Sequence, residues 1–375
     1  MFNWLLILTI LTAAEVAQGV PEAARYGQFS CVSCHVSPGG GGMLTNYGRM
    51  FSSEKMSTWS FEGEENLFYN LVRPQEKILA GGDARWIYQS LESGGKKLNR
   101  FWRMQTDLEL VLHYGDFWFQ GVMGTKPAGP MDNPRDHGHL VHRGYSLRYD
   151  LFEQHVLVRA GLFMPRHGLM IADHTAFTRM AMGFDAESEQ TQVEATYQDD
   201  GAEMFVSSLI RDNSYDRAEK TKSGFNIGVA KMFDNAHRIS AGLLRTFKKK
   251  AATEVITTGY GVSSVISLSG KIFTLLEFNR VTKQTSTNEV ATKIESLASF
   301  ATLNYEVVRG LSPFLRHELW DRDFRSNSAK LSRYGGGINW YPRPHLQTEL
   351  RGLLAKAQSD SRPSMDVQWI LHYYL

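Results

Sequence analysis

The last eleven residues leave this chain few folds to adopt. Met365, Val367, Trp369, Leu371, Tyr373 and Leu375 form an unbroken apolar row, with Asp366, Gln368, Ile370, His372 and Tyr374 standing between them. Successive side chains of a strand point to opposite faces, so such a segment has one apolar and one largely polar side. The alternation recurs upstream. Leu108, Leu110 and Leu112 are set off against Asp107, Glu109 and Val111, and Ile239, Ala241 and Leu243 against Arg238, Ser240 and Gly242. Ile272, Thr274, Leu276 and Phe278 are set off against Leu275, Glu277 and Asn279, and Leu297, Ala301, Leu303, Tyr305 and Val307 against Ala298, Phe300, Thr302, Asn304 and Glu306. From about Leu79 to Leu375 this pattern replaces helical periodicity.

A repeated strand with one face for lipid and one for a polar lumen is what a transmembrane β-barrel requires. The links between the strands have a rhythm of their own. Short ones fall near Tyr114–Gly115, Asp150–Leu151, Asp199–Gly201, Asp234–Ala236, Ser269–Gly270, Arg309–Gly310 and Pro342–Pro344. Longer polar ones fall near Ser93–Leu98, Gly124–Gly138, Pro165–Glu187, Arg211–Lys222, Lys248–Ala252, Lys283–Thr292, Asp321–Ser328 and Gln358–Pro363. Short periplasmic turns alternating with long outer loops predict about 16 antiparallel strands over 79–375, with both chain ends on the periplasmic side. The terminal strand also resembles the assembly signal of bacterial outer-membrane proteins, with Leu375 at the place more often held by Phe. A soluble β-sandwich of this length would more often pack two layers with shorter loops. The net charge of +2 is too small to argue for a nucleic-acid partner.

The chain begins differently. Residues 1–19 read as a signal peptide: an apolar run from Trp4 to Leu11 is followed by small residues at Ala13, Ala14, Ala17 and Gly19. The run is shorter than the ~20 residues that span a bilayer as a helix. An uncleaved anchor is the alternative, and either reading takes the chain out of the cytoplasm. Residues 20–60 then carry the only two cysteines, in Cys31-Val32-Ser33-Cys34-His35. C-x-x-C-H is the attachment spacing of a c-type haem. Two thiols hold the porphyrin, and the next residue is held under the iron as proximal ligand. A zinc site would need about four ligands, and there is no second cysteine pair. A thioredoxin-type pair would want a βαβ setting, and a plain disulfide leaves His35 without a purpose. Some 40 residues are too few to bury a haem unaided. The segment, with its loop Gly39–Gly42 and the apolar spacing of Met43 to Phe51, therefore needs a wall to lean on, and a barrel lumen supplies one.

A haem motif, a short plug and a barrel together resemble the fused outer-membrane cytochrome–porins, best known as the iron oxidases of iron-oxidising bacteria. The resemblance is carried by Cys31 to Phe51, where the motif is followed by Pro38, Leu44, Asn46, Gly48-Arg49 and Phe51. It implies one covalent haem c in the lumen of a bacterial outer-membrane barrel, on Cys31 and Cys34 with His35 as proximal ligand. It also implies Fe²⁺ as donor outside and a periplasmic carrier, such as a soluble cytochrome c, as acceptor.

The sixth iron position is open in the sequence. Met43, Met50 and Met56 lie in the haem segment, and Met56 and Met43 rank first, with water or an open position as alternatives. Methionine ligation raises a haem's potential, yet core packing is the usual use of this residue, and the chain has 14. His167 and His174 lie in the long link after Pro165, which resembles the inward-folding loop of porins. His137, His139 and His142, with Asp132 and Asp136, form a candidate metal-encounter cluster, or simply a solvated strand end. Arg103, Arg148, Arg159, Arg238 and Arg316 are candidates to line a lumen, either as an anion path or paired with Asp107, Glu109 and Glu318. Three functions follow: an inward electron conduit from Fe²⁺, a solute or anion porin with a structural or sensory haem, and a conduit exporting electrons.

Overall fold

A computed structural model describes residues 21–375 apart from 29, 72–74, 76, 126–139, 174, 185–187, 200, 213–221, 251, 289, 327–329 and 359–361. The alternating segments form sixteen antiparallel strands, from β1 (Ile78–Ser93) to β16 (Ser364–Tyr374). Each strand pairs with its neighbours in sequence, and β1 pairs with β16 from Asp83↔Tyr374 to Glu92↔Met365, which closes the barrel. Closure is what lipid demands, because an open edge would leave backbone N–H and C=O groups without partners in hydrocarbon.

The barrel is apolar outside and polar inside. On β2 (Lys96–Tyr114), Leu108 is 68% exposed, whereas Gln105, Asp107 and Glu109 are buried in the lumen. On β16, Met365 and Trp369 face out while Asp366, Gln368 and His372 are buried. Aromatic side chains stand exposed beside the short turns, among them Tyr114, Phe117, Phe152, Tyr197 and Phe233, as in the interfacial girdle of membrane barrels.

Three of the links expected to be long are tight. Ser93 pairs with Lys96, Lys250 with Thr253 and Thr287 with Val290. The polar stretches read as loops there are continuations of β1–β2, β9–β10 (His237–Lys250, Thr253–Ser267) and β11–β12 (Ile272–Thr287, Val290–Tyr305). A ladder keeps its hydrogen bonds beyond the lipid, where no apolar face is needed, so the alternation stops before the strand does. The turn expected near Asp150–Leu151 falls instead between Leu151 and Val156, with Phe152, Glu153 and Gln154 all left-handed.

The link after β5 (Val156–Phe163) folds into the lumen before β6 (Gln190–Asp199) begins, and it carries a short helix, Phe177–Met182. Barrel groups strap it down. Arg166 pairs with Glu203, Leu169 N donates to Glu277 (3.0 Å), Arg316 and Arg351 both reach Asp173 (2.7 and 2.8 Å), and Phe177 N donates to Glu318 (2.7 Å). Leu169 and Ile171 join Phe273, Leu275 and Phe300 of the wall and Ala24 of the N-terminal segment in one apolar cluster.

Candidate functional site

Residues 21–28 and 30–57 lie inside the barrel, toward the end that carries Leu375. Arg25 pairs with Glu306 (2.9 Å), Ser30 Oγ donates to Gln198 (2.6 Å), Arg159 donates to Ser37 Oγ (2.7 Å) and Arg49 to the Ala80 carbonyl (2.7 Å). Thr58 N and Trp59 N then donate to the Tyr341 and Pro342 carbonyls, so the segment leaves along the rim by β14 (Lys330–Arg343).

Within this plug, Cys31–Cys34 form one helical turn capped by Ser30, and His35 N donates to the Cys31 carbonyl (2.8 Å). The chain then doubles back. Val36 N donates to the Met43 carbonyl (3.0 Å), and His35 bridges Leu44. Gly40, Gly41 and Gly42 make that reversal with positive φ throughout, a conformation open to glycine at little cost. Thr45 caps the helix Asn46–Phe51 and also donates to the Ser33 carbonyl (2.9 Å). Gly48 lets this helix approach the cysteine turn, since a Cβ there would sit 2.2 Å from the Cys34 carbonyl oxygen.

Cys31, Cys34 and His35 open into one lumen cavity of about 280 Å³, bounded on other sides by Met56, Met170 and Arg238. Both thiols are free. Burial raises both, Cys34 to about 12, so neither is the low-pKa thiolate of a redox or nucleophilic cysteine. Burial also lowers His35, to about 4, which keeps the imidazole neutral at physiological pH and available as a ligand. Its Nδ1 is buried without a hydrogen-bond partner. Two free thiols and a neutral imidazole on one turn, open to one cavity, fit the donor set of a covalent haem.

The other candidates are placed as follows. Met43 is 1% exposed, packed with Val36, Leu79 and Val111 away from the cavity. Met50 is exposed. Met56 lines the cavity, with its carbonyl against Gly310 at the rim. His167 also lines it, with Nε2 3.1 Å from Asn279 Oδ1. Asp132, Asp136, His137, His139 and His174 lie outside the described residues. His142 is exposed on β4 (Leu140–Leu151) beside Tyr145. Among the described residues, no group of three His, Cys, Asp or Glu side chains could hold a metal ion.

The lumen arginines pair as the sequence allowed. Arg148 meets Asp150 (2.8 Å), Arg159 meets Glu194 (3.3 Å) and Arg316 meets Glu318 (2.6 Å). Arg103 is the exception. A bulge on β2 opposite Arg85/Trp86 makes it the partner of Trp86, which puts it on the outer face. Sequence reasoning passed over Met170, Asp173 and Arg351, because a loop without periodicity gives no sign of which side chains it turns inward.

No protein-family model matches the chain, and no curated protein matches it. Solved structures do. The outer membrane channel DcaP of Acinetobacter baumannii matches with a TM-score of 0.59 at 15% identity, over 80% of this chain and 97% of that one. OmpT of Vibrio cholerae, in a loop L8 deletion mutant, gives 0.58 at 12% identity, over 80% and 99%. An anion-selective porin from Comamonas acidovorans gives 0.57 at 9% identity, over 80% and 99%. The fold is that of outer-membrane porins, and the apolar outer band places the barrel in a bacterial outer membrane.

Proposed function

We propose that this barrel is an electron-transfer protein of the outer membrane, with one covalent haem c held in the lumen by Cys31 and Cys34 and ligated by His35. The observation that carries the reading is the placement of the chain's only two cysteines and the adjacent histidine on a plug, facing one lumen cavity. When bound, the haem supplies a one-electron couple whose potential is tuned by axial ligation, burial and nearby charge. The protein's part is positional. The cysteine turn fixes the group, Gly48 and Thr45 brace that turn, and the ion pairs of Arg25 and Arg166, with the hydrogen bond from Arg148 to the Val36 carbonyl, hold the surrounding plug and loop. The donor suggested by the resemblance is external Fe²⁺, and the acceptor a periplasmic carrier of the soluble cytochrome c type.

Protein matured with a haem c attachment system should carry one haem that acid–organic solvent does not extract, and Cys31→Ala or Cys34→Ala should lose it. In liposomes, external Fe²⁺ should become Fe³⁺ while a soluble cytochrome sealed inside becomes reduced, and the cysteine variants should fail at this. Haem that is fully extractable would sink the cofactor assignment. Covalent haem that Fe²⁺ leaves oxidised at every accessible pH would remove the iron-oxidising direction, leaving another donor or outward flow.

A second reading, a solute or anion porin with a structural or sensory haem, is favoured by the barrel itself, whose solved neighbours include a channel and an anion-selective porin. Against it stands the pairing of Arg148, Arg159 and Arg316 with carboxylates, which leaves little uncompensated positive field to draw anions. Ion conductance in planar bilayers separates the two.

A further inference from the structure

We infer that Met170, on the inward-folded loop, is the second axial ligand of the haem that His35 holds, an assignment that rests on the haem reading above. The plug and the loop approach the cavity from opposite walls. His35 comes from the β1–β2 side: the neighbouring Met43 N donates to Glu109 of β2 (2.8 Å), and Arg49 holds the Ala80 carbonyl of β1. Met170 comes from the far side, between Leu169, tied to Glu277 of β11, and Asp173, tied to Arg316 of β13. Both side chains line the same cavity.

The backbone at Met170 points the same way. Its φ is +52°, a left-handed conformation that residues other than Gly, Asn and Asp seldom adopt. Every other described non-glycine residue of this kind lies in an inter-strand turn or in the link 61–71. Strained backbone inside a site is a recurring mark of function. Here it is imposed by neighbours: Gly168 is held against Glu277, and Asp173 is locked by two guanidinium groups. The result presents an unbranched thioether to the cavity. Among the described residues its sulfur accepts only from the His167 amide (3.2 Å), a weak claim on a weak acceptor.

The competitors are worse placed. His167 spends Nε2 on Asn279, and its ring lies against the wall: a Cβ on Gly242 would meet Nδ1 at 3.4 Å and one on Gly261 would meet Nε2 at 2.5 Å. Met43 is packed into an apolar cluster. Met56 lines the cavity from the rim, where its carbonyl backs onto Gly310.

The test uses full-length, haem-loaded barrel in detergent. Oxidised wild type should show the long-wavelength thioether-to-iron charge-transfer band. Met170→Leu, which keeps size and apolarity, should lose that band, lower the reduction potential and bind added imidazole where wild type resists it. Met170→His should stay six-coordinate and low-spin without the band, and Met56→Leu should keep it. A heat-modifiable band on gels establishes that each variant is folded. The assignment is overturned if Met170→Leu retains the charge-transfer band, if Met56→Leu abolishes it, or if wild type with covalent haem never shows it. Failure of the haem reading itself looks different: mass spectrometry then finds the bare polypeptide, and no visible spectrum exists to assign.

Discussion

Asp173 shows how one side chain sets the shape of the lumen. Its Oδ2 accepts from Arg316 and Arg351, and its Oδ1 accepts from Thr175 N (2.9 Å) and Oγ1 (2.6 Å). Burial alone would raise this loop carboxyl, but Arg351 and Arg316 outweigh it and hold it well below the usual range. An amide in its place leaves two guanidinium groups facing a neutral partner. A hydrogen bond between charged groups that is left unmade costs about 1–3 kcal/mol; water in the lumen keeps the figure below that of a pair buried in a dry core. Asp173→Asn should therefore release the loop between Phe163 and Gln190 while sparing the barrel, whose β-ladder does not depend on it. Limited proteolysis should cut that loop faster in the variant, while the folded gel band persists; unchanged cleavage would show that the two arginines are not what hold the loop.

At the scale of elements, the strands were legible and the lumen contents were not. The row from Met365 to Leu375 declared its lipid face because only apolar groups are tolerated there, and β16 faces as that row required. The ends of β1, β9 and β11 were hidden because a strand standing in water needs no pattern. Cys31, Cys34 and His35 were singled out by spacing alone and line one cavity, and nothing in that spacing tells which loop residues line it with them. The plug is the element with the clearest pH response. Glu306, just beyond β12, is lowered: burial raises it, but the hydrogen bond and charge of Arg25 prevail. A carboxylate of this kind contributes stability above its unfolded value of about 4.5 and loses it as pH falls through the lower folded value. His35 adds to the same direction. Buried neutral with a folded value of about 4 against 6.5 when free, it penalises the folded plug increasingly as pH drops below 6.5. The haem-free chain should thus hold its plug at neutral pH and loosen it from about pH 6 to pH 4 through His35, with the Glu306 contribution lost in addition as pH falls from about 4.5 through its lowered folded value. Protease accessibility of residues 21–60 across that range is the measurement, and a plug equally resistant at pH 7 and pH 3 would contradict this account.

For the whole molecule, the decisive property is whether the lumen passes ions. A 16-stranded barrel left to itself encloses an aqueous channel. Here two elements occupy it: the inward loop, strapped by Asp173 and Glu318, and the plug, tied to the wall from Arg25 to Trp59. The loop alone leaves the architecture of an ordinary porin with its constriction. The plug is the addition: its first described residues pack against the wall at β9–β11, with Arg25 on Glu306, and Arg49 and Ser52 then reach Ala80 of β1 and Tyr374 of β16 at the closing seam. Because the barrel closes through β1–β16 pairing without help from residues 20–60, deleting that segment while keeping residues 1–19 should leave a foldable barrel in the outer membrane. Intact protein in a planar bilayer should then carry little current, whereas the deletion should show stepwise porin-like openings. If the barrel is the electron conduit proposed above, loss of the plug should also abolish Fe²⁺-dependent reduction of a cytochrome sealed in vesicles, since the thiols and His35 leave with it. Large, stable openings from the intact chain would mean that the plug does not seal the lumen, and the solute-porin reading would then take precedence over the electron conduit.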